Sequence, residues 1–134
     1  MYDTILVPVD GSEPANRATE HAMDIASTFD ADLHALYVVD TRRYGGVSDA
    51  GGVLEDLEES GRGILEDLET RADVEMTTEI RRGRPSEEID AYADAIGADL
   101  IVLGNRGLAG PPGGEIGSVA ERVVRYAGRP VITA

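Results

Sequence analysis

Thr4-Ile5-Leu6-Val7-Pro8-Val9-Asp10-Gly11-Ser12-Glu13-Pro14 is the stretch that decides the fold. Residues 4–9 form an unbroken apolar run with several β-branched members, the pattern of a strand covered on both faces in a parallel sheet rather than half-exposed. Asp10-Gly11 ends that strand with turn chemistry, and Ser12 is placed to cap a helix whose first turn contains Pro14. Downstream, Ala15, Ala18, Ala22, Ile25, Ala26 and Phe29 recur at helical spacing, so one face of that helix is expected to pack on the sheet.

The same alternation continues. Residues 33–39 predict a second strand, and 44–52, with four glycines, a loop. From Val53, a stripe of Leu54, Leu57, Gly61, Ile64, Leu65 and Leu68 predicts a helix, with Gly61 allowing close packing and Glu55, Asp56, Glu58, Glu59 and Glu66 on its solvated faces. Residues 74–80 alternate and are polar, as suits a strand at a sheet edge. Ser86 is then expected to cap a helix carrying Ile89, Tyr92, Ala93 and Ile96, which Gly97 ends. Leu100-Ile101-Val102-Leu103 gives a fourth strand, residues 104–117 a glycine-rich loop, 118–127 a helix and 131–133 a short fifth strand. Strands alternating with amphipathic helices imply right-handed crossovers and an α/β, doubly wound parallel sheet of Rossmann-like type, with residues 1–134 as one domain.

Composition narrows the function classes. Among 134 residues, 26 acidic side chains face 12 basic ones, all of them Arg, for a net charge of −14. An acidic surface without Lys suits molar salt, where screening shortens to about 3 Å, and this predicts a halophilic protein. The same surface repels nucleic-acid phosphates and anionic lipid, so neither nucleic acid nor membrane is an expected partner. The absence of Cys excludes a disulfide framework or a thiol nucleophile. The start of the sequence resembles no secretory signal, and a cytoplasmic location is expected.

Ligands in doubly wound sheets bind beyond the carboxyl ends of the strands, where the strand order reverses. There Gly104-Asn105-Arg106-Gly107 follows the fourth strand, nine residues intervene, and Gly117-Ser118-Val119 opens the last helix. Glycines allow backbone to approach a polyphosphate, and unbonded N–H groups at the helix start favour an anion, with the Ser118 hydroxyl as an added donor. The same residues also read simply as a long loop followed by an ordinary helix cap, and periodicity does not choose between the two. Arg106 reads either as a phosphate contact or as a surface ion-pair partner. Asp10 reads either as a ribose or magnesium ligand or as a turn residue.

The motif GxxG, nine residues and GS resembles the ATP-binding pattern of the universal stress protein family. The likeness extends to Ile5-Leu6-Val7-Pro8-Val9-Asp10-Gly11-Ser12, Gly83-Arg84-Pro85, Ala98-Asp99-Leu100-Ile101-Val102-Leu103-Gly104 and Gly117-Ser118-Val119-Ala120-Glu121-Arg122-Val123-Val124, followed by Arg129-Pro130-Val131. The resemblance implies a five-stranded sheet in order 3-2-1-4-5 and a homodimer formed through the last strand. It also implies a site for ATP or another adenine nucleotide, with or without Mg2+. Backbone near Val38 would recognise adenine, Pro8 and Asp10 would line the nucleoside pocket, and Gly104, Gly107, Gly117, Ser118 and Val119 would hold ribose and phosphates. One stretch departs from the family pattern: Leu108 is followed by Ala109-Gly110-Pro111-Pro112-Gly113-Gly114-Glu115, without a basic or small polar residue after Gly107.

No catalytic set stands out. His21 and His34 lack the partners of a zinc site, residues 55–59 lack the spacing of a calcium loop, and no base accompanies Ser118 as a nucleophile. The expected function is a small dimeric stress-response module that binds an adenine nucleotide. The alternatives are a slow ATPase or nucleotidyl transferase and a nucleotide-free scaffold.

Overall fold

The computed structural model describes residues 2–44, 52–106 and 117–134. Among these residues ten elements follow in chain order: β1 Thr4–Val9, α1 Glu13–Phe29, β2 Asp32–Asp40, a 3-10 turn Thr41–Tyr44, α2 Val53–Arg71, β3 Met76–Gly83, α3 Pro85–Ile96, β4 Leu100–Leu103, α4 Ser118–Tyr126 and β5 Val131–Thr133. The five strands form one parallel sheet in the order β3-β2-β1-β4-β5, as expected.

The continuous apolar runs have the anticipated cause. In β1, Ile5, Val7 and Val9 join the core under α1 and α2, while Leu6 points into the core under α3 and α4. In β4, Leu100 and Val102 face the first layer and Ile101 and Leu103 the second. Each such side chain removed from water contributes about 1.5–3 kcal/mol, so a polar residue anywhere in these two strands would be costly. Gly61 brings α2 onto the sheet: a Cβ there would lie 2.4 Å from the Tyr37 ring. The acidic residues Glu55, Asp56, Glu59 and Glu66 of α2 are exposed, and Glu58 pairs with Arg82.

Three local expectations need correction. Ser86 does not cap α3. Pro85 occupies the first helical position, where its missing N–H costs nothing, and it holds Arg84 in an extended conformation (φ −80°, ψ 121°) as the N-cap residue. The strand expected at 74–80 is Met76–Gly83, because β2 continues to Asp40 and pairs in register as far as Gly83. Phe29 stays 44% exposed at the end of α1 and meets Tyr2 edge to face, with ring centroids 5.2 Å apart. By contrast, Ser12 caps α1 as expected, its Oγ accepting from the Ala15 N–H at 3.2 Å.

Candidate nucleotide site

Strand order reverses between β1 and β4, so their carboxyl ends diverge into a crevice. A cavity of about 420 Å³ opens there. Pro8, Val9 and Asp10 enter it from the end of β1, Val38 to its side from β2, Leu103 and Gly104 from β4, and Gly117, Ser118 and Val119 from the start of α4. Seven of the eight residues expected at the site therefore meet around one cavity. The eighth, Gly107, lies outside the described residues, as does the divergent stretch 108–116.

β2 forms the far wall because it outruns its neighbour. The β1–β2 register ends at Val9 opposite Tyr37, yet β2 continues through Val38 to Asp40. On the side toward β1, the backbone beyond Tyr37 therefore has no neighbouring strand among the described residues.

The two glycines that frame the opposite end differ in purpose. A Cβ on Gly104 would lie 2.8 Å from Ala15 N and 2.8 Å from Pro14 C, so this glycine lets the start of α1 rest on the end of β4. Gly117 folds back on the loop, donating its N–H to the Asn105 carbonyl at 2.6 Å, and a Cβ there would lie 3.0 Å from Arg106 Cα. Its own N–H is thus already used.

Gly117 is the N-cap of α4, and a glycine has no side chain with which to close the first turn. The first bond within the helix runs from Glu121 N–H to Gly117 O, which leaves the N–H groups of Ser118, Val119 and Ala120 without an intrahelical acceptor. These donors and the helix dipole face the cavity, an arrangement that suits an anion. Ser118 is exposed in the first helical position and is not a cap, so the capping explanation for this residue falls away.

Of the two roles weighed for Asp10 the structure shows the turn contact, Oδ1 accepting from Ser12 N–H at 2.9 Å, and the residue also lines the cavity. Arg106 lines it too. So does a group that motif reading did not single out. Arg42, in the 3-10 turn, lies beside Asp40, whose hydrogen bond raises the guanidinium above its ordinary pKa against the opposing pull of burial. Nothing in Thr41-Arg42-Arg43-Tyr44 announces a site, because the position depends on how far β2 outruns β1. His34, which carried no site role, meets the Tyr92 hydroxyl at 3.4 Å beneath α3.

The sequence model of the Universal stress protein family matches residues 1–134. The chain belongs to that family. A universal stress protein of Methanocaldococcus jannaschii is 38% identical over 138 residues, covering 98% of this chain and 81% of its relative. Among solved structures, a universal stress protein in complex with cAMP superposes with a TM-score of 0.78 at 29% identity, covering 99% of this chain and 97% of the other. The universal stress protein from Archaeoglobus fulgidus in complex with dAMP does so with a TM-score of 0.65 at 27% identity, covering 98% and 97%. Among the described residues, no helix is long and apolar enough to cross a membrane.

Proposed function

We infer that this universal stress protein is a cytoplasmic nucleotide-binding module that holds an adenine nucleotide in the β1/β4 crevice and signals its occupancy to partner proteins during stress. One observation carries the reading: the uncapped first turn of α4 opens onto a cavity of about 420 Å³ at the switch point, where a donor set for phosphate meets the end of β2 that extends past β1. Two related structures, one with cAMP and one with dAMP, support the same ligand class.

In this reading adenine lies against the backbone near Val38, Pro8 and Asp10 flank the nucleoside, and the phosphates reach the N–H groups of Ser118 and Val119 and the Ser118 hydroxyl. Gly104 and Gly117 supply room, and Gly107 is assigned by its place in the motif. ATP is the first candidate. The donor set serves a single phosphate as well, so AMP and cAMP belong in the same test. Mg2+ keeps several waters and binds through phosphates plus one or two carboxylates; of the cavity's Asp10 and Asp40, the latter is held by Arg42, so Asp10 is the one proposed to serve it.

A homodimer through β5 completes the proposal. β5 is a three-residue edge strand, and α4, packed beside it, leaves Val124 50% and Tyr126 68% exposed, an apolar margin that pairing with a second copy would cover.

Thermal melting with ATP and Mg2+, AMP or cAMP, in KCl at about 0.1 M and about 2 M, tests the whole reading. Ligand at a hundredfold excess over Kd stabilises by about 2.7 kcal/mol, or roughly 10 °C for a domain of this size. The higher salt should also raise the ligand-free melting temperature. Light scattering on the same samples should give a dimer. Absence of a shift with all three nucleotides would leave the nucleotide-free scaffold as the better account.

A further inference from the structure

Asp40 closes β2, and Arg42 follows two residues later. The Asp40 carboxylate gathers three donors from this one residue: Oδ1 accepts from the Arg42 backbone N–H and from Nε–H, each at 3.0 Å, and Oδ2 accepts from Nη2–H at 2.9 Å. A two-point fork of this kind fixes the plane of a guanidinium as well as its position. Nη1 bonds to no described residue. The Arg42 side chain is 42% exposed and lines the same cavity as Val38.

An exposed ion pair contributes little to stability, so the fork is better explained by what it presents. Guanidinium is planar, delocalised and a donor only, and it stacks on flat π systems. Every nucleobase offers such a face. Phosphate is the less suitable partner here. The anion-binding turn of α4 adjoins β4, and β2 is separated from β4 by β1, a distance of about 10 Å at ordinary strand spacing. A nucleotide spanning the crevice therefore brings its base, not its phosphate, to the end of β2.

The geometry points to Arg42 as a specificity-determining residue that packs its guanidinium on the base of the bound nucleotide, with Asp40 as the positioning residue that holds it flat. This inference rests on the nucleotide reading above and adds a residue to it.

Calorimetric titration of the full chain with adenosine and with AMP, at one fixed KCl concentration, tests it. Arg42→Ala should weaken both ligands by the same factor, about tenfold, because adenosine shares the base and lacks the phosphate. Arg42→Lys should recover little of that loss, since an ammonium lacks the plane and the fork. It also preserves the charge opposite Asp40, which guards against a folding defect in the alanine variant. Asp40→Asn should weaken adenosine as well, with Arg42 still present. Loss of AMP binding with adenosine spared would make Arg42 a phosphate contact and overturn the inference, as would full recovery by lysine or unchanged binding by the alanine variant. If the natural protein binds neither ligand, the nucleotide reading falls and carries this one with it. If it binds both and Arg42→Ala binds each as tightly as the natural protein does, only this inference falls.

Discussion

At the start of α1 the Ser12 hydroxyl accepts from Ala15 N–H, and Asp10 Oδ1 accepts from Ser12 N–H, so this helix start is capped by the chain's own side chains. At the start of α4 the N-cap is Gly117, and the donors of the first turn are left open. Ala15 and Ser118 line the same cavity, so both helix ends stand beside it. The dipoles of the two helices favour an anion equally, but in the first turn of α1 Pro14 has no N–H and Ala15 N–H is taken, which leaves Glu13 alone, whereas the first turn of α4 leaves three donors open, and on that difference the proposed phosphate end of the crevice lies at α4. The capped helix instead forms a fixed wall, held against β4 by the absence of a side chain at Gly104.

The most damaging way to break this contrast is to push the fixed wall. Gly104→Ala would set a Cβ 2.8 Å from the backbone of Pro14 and Ala15, and the cost should be about 1–3 kcal/mol, read as a lower urea midpoint. Unchanged stability would mean that α1 does not depend on that close approach. A smaller effect separates the two serines. Ser12→Ala removes a cap and should cost about 1 kcal/mol, whereas Ser118→Ala removes no cap and should stay within about 0.5 kcal/mol in the absence of ligand. Denaturant melts of the two variants side by side would show it. Equal losses, or a larger loss at Ser118, would show that the hydroxyl of Ser118 has a structural task after all.

The layered fold was legible because its signals are local and strong. The apolar runs at 4–9 and 100–103 have two buried faces and read as such, and Ser12 with Pro14 marks a helix start by chemistry that acts within four residues. Ser86 misled because the same capping signal lay one residue beyond a proline, and the proline's fixed geometry set the boundary first. The lining of the cavity was legible where it coincides with the family motif, as at Gly104, Gly117, Ser118 and Val119. What those residues do there was not. That Gly104 serves the seating of α1, and that Gly117 uses its N–H on Asn105, are consequences of distances between segments far apart in the chain. Arg42 reaches the cavity through the excess length of β2, which no short pattern encodes.

The central claim is that the open first turn of α4 holds the phosphate. Gly117 is unsuited to test it, because any side chain there meets Arg106 Cα at 3.0 Å. Ser118→Glu is cleaner: the position is exposed, and a carboxylate in a first helical turn contributes about 0.3–1 kcal/mol to the helix while placing negative charge where phosphate must come. The measurement is the melting temperature of this variant and of the natural protein, each with and without saturating AMP in about 2 M KCl. The account predicts an unchanged or slightly raised ligand-free melting temperature for the variant and the loss of most of the AMP-induced rise. A variant that folds and gains from AMP the same stabilisation as the natural protein would contradict it.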